Sequence, residues 1–164
     1  MRRAIVLAGT VLITAFAPPA SAGGGAIVPL ASPPQSGYRF AGTEDHVRVV
    51  SVARDAEDRD KITVTMVIDP GYHVNANPAS SKDLIPTALS FDGYDLKQVI
   101  YPKPYRFKPK FAEEAIEVYQ GTERIVALFP NGSLKPDTRL RGTLSAQACT
   151  EEICLPPAEI PFSN

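Results

Sequence analysis

The sequence lacks tryptophan, and it has only two cysteines, two methionines and two histidines among 164 residues. No serine stands in a Gly-x-Ser-x-Gly turn, and His46 and His73 are the only histidines, so a hydrolase arrangement has no support. The concentrated basic face that nucleic-acid binding needs is also missing. No long helical pattern and no internal repeat are present, which points away from helical and repeat architectures.

Long apolar segments are missing as well, apart from Ala4–Ala17, which is shorter than the roughly 20 residues that a membrane helix needs. This run follows a basic start, Met1 to Arg3, and ends in small residues up to Ala22. These are the three parts of a secretory signal peptide. We expect cleavage after Ala22, with an uncleaved anchor as the alternative. No membrane insertion is expected after cleavage.

The remaining chain divides by composition. Residues 23–37 are rich in glycine and proline and have no hydrophobic period, which predicts a flexible leader. Residues 38–164 form the expected domain, long enough to bury its own core. After signal removal the mature chain would have 142 residues and a net charge of −3.

Short strand-like segments recur along this domain, separated by Pro, Gly, Asn and Asp turns. They cover residues 38–41, 46–53, 62–69, 86–91, 96–101, 117–120, 124–129, 139–148 and 158–162. The pattern predicts an all-β fold, an immunoglobulin-like antiparallel β-sandwich, with a barrel as the alternative. The buried tryptophan and the inter-sheet cysteine pair of antibody domains are absent.

Several local features refine this prediction. The valines of residues 46–53 change face, which indicates a bulge. Prolines at three positions of residues 102–109 predict irregular structure there, and residues 111–116 suggest one helical turn. We expect residues 117–120 and 124–129 to pair around Gly121, and residues 158–162 to form an edge strand.

The two cysteines, Cys149 and Cys154, lie near the C-terminus. In an exported protein two cysteines are expected to pair. A disulfide that closes so short a loop stabilises by roughly 2 kcal/mol in the chain-entropy model, whereas a long loop would give over 4. A redox-active pair is therefore favoured over a structural staple, and metal binding by the two thiols is a third possibility.

The residues around the pair limit its chemistry. Glu151 and Glu152 lie between the cysteines, and no Lys, Arg or His is near in sequence. Negative charge disfavours a thiolate, so the thiol pKa values are not expected to be strongly lowered. This indicates a relay whose disulfide is attacked by a partner's thiolate, through a mixed disulfide.

The segment Gln147–Cys149 followed by Cys154–Pro157 resembles the active-site segment of the N-terminal periplasmic domain of DsbD-type thiol:disulfide interchange proteins. The segment Asp69–Asn75 is similar to a second block of that family. A third is Tyr101-Pro102-x-Pro104, followed after a gap by Tyr119-x-Gly121. The matching segments occur in the same order as in the family, over about residues 40–162.

This resemblance implies an immunoglobulin-like fold in which Cys149 and Cys154 cycle between dithiol and disulfide. It implies electron exchange with periplasmic thioredoxin-fold proteins and a membrane-embedded reductant, in a monomer without a cofactor. The family's cap loop implies that Phe111 covers the cysteines, although Phe111 could equally be core. Lys108 and Lys110 stand where relatives carry acidic residues, and they could offset the charge of the two glutamates.

Three further residues are carried over from the resemblance. Tyr72 and His73 would lie beside the cysteines, with His73 either a proton carrier or a solvent-facing strand residue. Tyr119 would pack against the site or belong to the core. Known members continue into a membrane electron carrier and a thioredoxin-like domain, whereas this sequence ends at Asn164. We therefore expect it to act as a free domain that receives electrons from a separate reductant. The alternatives are a binding module with a structural disulfide and a Cu(I) carrier that uses both thiolates and His73.

Overall fold

The fold was obtained as a computed structural model, which describes residues 41–110 and 113–164. A short 3₁₀ turn, Thr43–Asp45, precedes the strands. The strands of the described residues are β1 Val47–Arg54, β2 Lys61–Ile68, β3 His73–Asn75, β4 Ala88–Phe91, β5 Gln98–Ile100, β6 Tyr105–Phe107, β7 Ile116–Tyr119, β8 Thr122–Leu128, β9 Arg141–Ala146, β10 Ala148–Cys149 and β11 Ala158–Ser163.

All strand pairs are antiparallel, and the strands make three sheets in the orders β1-β2-β8-β5, β10-β3-β7-β6 and β11-β9-β4. One hydrophobic core takes side chains from all three sheets. The strand β2 shows why: its alternate residues Ile62, Val64, Met66 and Ile68 are all buried, as period-2 patterning requires. The immunoglobulin-like antiparallel β-sandwich predicted from the sequence is confirmed.

The run 139–148 is predicted as one strand but forms two. Leu144, Ala146 and Ala148 are all buried, as the alternation predicts. At Gln147 the chain leaves the sheet of β9 and enters the sheet of β10, where it pairs with β3. The change of sheet delivers Cys149 to a different set of neighbours from those of β9.

Two predictions about the edges hold. The register of β1 against β2 shifts between Val49 and Ser51, which is the expected bulge, and Val50 is exposed there. The strand β11 pairs only with β9 in its sheet and so forms an edge, although Pro161 lies within it. Proline is tolerated at an edge because its missing N–H can face away from the neighbouring strand.

Two other predictions are wrong. The proline-rich segment 102–109 contains the strand β6, which fits between Pro104 and Pro109 because proline restricts only its own position and the one before it. The strands β7 and β8 do not pair with each other: they lie in different sheets. Gly121, with φ +65°, provides the turn between them, a conformation that favours glycine.

Some predicted segments are only partly described. Ala41 lies outside any strand, and residues 38–40 lie outside the described residues. The suggested helical turn at 111–116 includes residues 111 and 112, also outside the described part, while Ile116 already belongs to β7. Among the described residues, no helix is long and apolar enough to cross a membrane.

Thr43 joins the 3₁₀ turn to both arms of the hairpin that contains the cysteines. Its hydroxyl oxygen accepts a hydrogen bond from the Ala148 N–H at 2.9 Å and donates one to the Pro156 carbonyl at 2.7 Å. Thr43 is buried, which shields its bond to Ala148 from bulk water, whereas the bond to the exposed Pro156 is only partly buried. One side chain therefore fixes the distance between the segment before Cys149 and the segment after Cys154.

We predict that Thr43→Val lowers the free energy of unfolding by about 2 to 3 kcal/mol, because the Ala148 N–H and the Pro156 carbonyl lose their partner. Thr43→Ser keeps the hydroxyl and loses one methyl group, worth about 0.8 kcal/mol. Urea unfolding of the oxidised protein measures both changes. Equal stability of the Val and Ser variants would contradict the bridging role.

Candidate functional site

The two cysteines form a disulfide across the arms of a short β-hairpin. Cys149 and Cys154 are bonded with an S–S length of 2.02 Å, and their Cα atoms are 3.9 Å apart. They are directly opposite each other in an antiparallel bridge. Hydrogen bonds flank this bridge on both sides, from the Thr150 N–H to the Ile153 carbonyl and from the Leu155 N–H to the Ala148 carbonyl, each at 2.8 Å.

The turn of this hairpin is built around one side chain. The hydroxyl oxygen of Thr150 accepts hydrogen bonds from the backbone N–H groups of Glu152 and Ile153, both at 3.2 Å. Threonine hydroxyls commonly take this local role in turns. The turn leaves Glu151, Glu152 and Ile153 exposed to solvent. Backbone and Thr150 hydrogen bonds therefore hold the turn in addition to the S–S bond.

The two cysteines differ in exposure. Cys149 is fully buried, because β10 pairs with β3 on one side and with the second hairpin arm on the other. Cys154 is exposed. A reagent arriving from solvent therefore meets Cys154 first.

His73 lies directly opposite Cys149 in the pairing of β3 with β10. Directly opposed residues of an antiparallel pair project from the same face of the sheet. The neighbouring row, Val74 and Ala148, faces the main core. Cys154, Cys149 and His73 therefore form one row on the opposite face of the sheet.

The ring of Phe107 covers His73. The two ring centroids are 4.5 Å apart, and only 1% of His73 is exposed. Burial lowers the pKa of His73 below its usual value, because removal from water disfavours the charged imidazolium. His73 is therefore neutral near pH 7, and the suggestion of a solvent-facing histidine is wrong.

A cavity of about 320 Å³ opens beside this row. Its lining includes Tyr72, His73, Phe107 and Glu151, together with the turn after β2. Tyr72 is half-buried, and its ring stacks on His46 with centroids 3.8 Å apart. The hairpin tip therefore lies beside a concave surface that is partly lined by aromatic side chains.

Lys110 connects the segment after β6 to the hairpin tip. Its backbone N–H donates to the Glu151 carbonyl at 2.9 Å, and its Nζ is 2.9 Å from Glu152 and 3.8 Å from Glu151. The side chains of Lys110 and Glu152 are 66% and 70% exposed, so the ion pair is screened by water and weak. It nevertheless places a positive charge next to both glutamates.

Tyr119 and Phe111 are the remaining residues that the sequence predicted near the cysteines. Tyr119 is fully buried and belongs to the core, where its hydroxyl oxygen accepts a hydrogen bond from the Asn77 N–H at 3.1 Å. Burial raises the pKa of Tyr119, so its hydroxyl stays protonated. Phe111, the predicted cap residue, lies outside the described residues.

Sequence reasoning missed Thr43 and Phe107. Phe107 stands in the proline-rich segment that was expected to be irregular, and only the alternation Tyr105-x-Phe107 hinted at a strand. Thr43 lies about a hundred residues from the cysteines in sequence, with no local pattern that links it to them. Within residues 41–110 and 113–164, no group of three or more His, Cys, Asp or Glu side chains is arranged to hold a metal ion.

Comparison with solved structures gives the same architecture. The chain is 19% identical to the DsbD N-terminal domain of Neisseria meningitidis in the reduced form, with a TM-score of 0.54 over 76% of this chain and 89% of that one. It is 17% identical to the N-terminal periplasmic domain of ScsB from Proteus mirabilis, with a TM-score of 0.52 over 77% of this chain and 49% of that one.

A weaker likeness is to a complex of the DsbD and PilB N-terminal domains from Neisseria meningitidis. It has a TM-score of 0.48 and 16% identity, over 71% of this chain and 80% of that chain. No sequence among the curated proteins matches this chain.

The sequence itself decides the family. The sequence profile described as "Thiol:disulfide interchange protein DsbD, N-terminal" matches residues 42–162, which is most of the chain and includes both cysteines. The structure adds a disulfide in the hairpin that these residues form. The chain therefore belongs to the family of DsbD N-terminal thiol:disulfide interchange domains.

Proposed function

We propose that the protein relays electrons through a reversible Cys149–Cys154 disulfide, exchanging them with other redox proteins. The observation that carries this proposal is the disulfide's position, on a hairpin with one exposed and one buried cysteine. A bond of this kind offers one sulfur to an incoming thiolate and holds the other as the leaving group. Family membership supports the same chemistry.

The exchange needs only the protein's own residues and a partner dithiol. A thiolate of the partner attacks Cys154 Sγ, the Cys149–Cys154 bond breaks, and its electron pair stays on Cys149 Sγ. A mixed disulfide then joins the partner to Cys154. The partner's second thiolate then attacks the partner's first sulfur, which is bonded to Cys154. This step releases Cys154 and leaves the protein reduced and the partner oxidised. The reverse sequence passes both electrons onward.

The same geometry supports a proposal about the partners. The cavity beside the hairpin and the exposed Ile153 give an extended segment of a partner an aromatic and apolar surface next to Cys154. We take the partners to be thioredoxin-fold proteins and a membrane-embedded reductant, with the protein acting as a monomer. Such partners carry low-pKa thiolates, which a site flanked by Glu151 and Glu152 does not supply itself.

The compartment is part of the proposal. Residues 1–22 are proposed to direct export and to be removed, residues 23–37 to form a leader, and residues 38–164 to work in the periplasm. An oxidising compartment is where a disulfide of this kind persists between reactions. The segment from Phe107 to Lys110 is proposed as part of a cap over the cysteines, because it already contacts His73 and Glu151; Phe111 follows it directly.

The reduction potential distinguishes this function from a structural staple. After equilibration with glutathione mixtures and alkylation of free thiols, we predict a midpoint for Cys149–Cys154 well above about −300 mV, the region below which structural disulfides lie. A midpoint below that value would identify the bond as a staple in a binding module. A stoichiometric Cu(I) complex of the reduced protein would instead favour the metal carrier.

The exposure difference predicts unequal reactivity of the two thiols. In a Cys149→Ser variant, Cys154 should react with iodoacetamide at least about tenfold faster than Cys149 does in a Cys154→Ser variant, because access limits the buried thiol. The same two variants in urea provide the control and should react at similar rates. Equal rates in the folded proteins would contradict the assignment of Cys154 as the attacked sulfur.

A further inference from the structure

The imidazole of His73 contains a buried polar atom without a partner. Its Nε2 has no hydrogen-bond partner among the described residues, and the side chain is covered by Phe107. Buried polar atoms are nearly always paired, so an unpaired one calls for an explanation, and a redox or catalytic role is among the usual ones. The sheet pairs His73 with a residue whose charge changes during the proposed exchange.

That group is the sulfur of Cys149. His73 and Cys149 are directly opposite in the β3–β10 pairing, which puts their Cβ atoms about 4.5 to 5.5 Å apart on one face. In the oxidised protein Cys149 Sγ is bonded to Cys154 and carries no charge. When the disulfide opens, the same sulfur becomes a buried anion on the same face of the sheet as the imidazole.

We propose that the Nε2–H of neutral His73 donates a hydrogen bond to Cys149 Sγ when the disulfide opens, and thereby stabilises the leaving thiolate. This inference rests on the proposed exchange function and adds a catalytic residue to it. His73 keeps its proton throughout: the thiolate takes the electron pair of the broken bond and later takes a proton from solvent. A leaving group that is a more stable thiolate departs faster.

The surroundings of His73 suit a neutral donor. The residues that line the same cavity include Asp69, Tyr72 and Glu151. Asp69 is paired with Arg48 and lies 3.5 Å from His46 Nδ1, and Lys110 is paired with Glu151. Burial keeps the imidazole uncharged near pH 7, so the donor acts as a dipole rather than as a cation. A hydrogen bond to an ionised sulfur in a site shielded from water is strong.

The test compares His73→Phe, which keeps an aromatic ring against Phe107, with His73→Gln, whose amide nitrogen can occupy the place of Nε2. In a Cys154→Ser background the thiolate absorbance of Cys149 gives its titration. His73→Phe should reduce the thiolate fraction at a given pH by about tenfold, because it removes a hydrogen bond to a charged group, and His73→Gln should restore most of it.

A second readout uses the intact disulfide. Dithiothreitol should open it several-fold more slowly in His73→Phe than in the wild type, with His73→Gln close to the wild type. An unchanged titration and opening rate in His73→Phe would overturn the proposal. A glutamine variant as impaired as the phenylalanine variant would also overturn it, since it would indicate a packing role.

Nitrogen NMR of the wild-type protein keeps the proposal testable even if the variants do not fold. The His73 Nε2 resonance should shift on reduction. An unchanged His73 resonance would overturn the proposal. Failure of the exchange function looks different, because the wild-type disulfide would then stay oxidised in glutathione mixtures whatever the His73 resonance does.

Discussion

The antiparallel bridge between Cys149 and Cys154 is the contact on which the site depends. Its two flanking backbone hydrogen bonds hold the cysteines opposite each other, and the strand that contains Cys149 is only two residues long. So short a strand cannot fix its own position. Its position is fixed by pairing with β3 and by the two hydrogen bonds of Thr43. Because these contacts do not involve the sulfur atoms, we expect the cysteines to stay close after reduction, which would let the disulfide re-form.

The same arrangement makes the two cysteines unequal. One arm of the hairpin is joined to a sheet, so Cys149 is buried; the other arm has a sheet neighbour on one side only, so Cys154 is exposed. The residues next to the cysteines in sequence are acidic, and only the family resemblance predicts His73 and Lys110 near the pair. The fold brings Lys110 to the glutamates and His73 to Cys149. The environment of the pair is thus less acidic than its sequence neighbours indicate, yet the attacking thiolate still has to come from a partner.

Period-2 patterning predicts the strands well where one face is buried, as in β2 and β9, because burial imposes the alternation directly. It does not predict which sheet a strand joins. The change of sheet at Gln147, and the separation of β7 from β8 at Gly121, depend on contacts that are distant in sequence. For the site, the cysteine pair and the family resemblance predict that Cys149, Cys154 and His73 lie together, and the structure pairs His73 with Cys149. The contributions of Thr43 and Phe107 arise only from tertiary packing, so no local pattern indicates them.

The proposed exchange requires the hairpin to offer Cys154 to an incoming thiol and to keep Cys149 as the leaving group. To test this, the oxidised protein is exposed briefly to glutathione, the reaction is quenched with acid, and the glutathione is located by peptide mass spectrometry. We expect mixed disulfides predominantly at Cys154. Glutathione found mainly on Cys149, or equally on both cysteines, would contradict it.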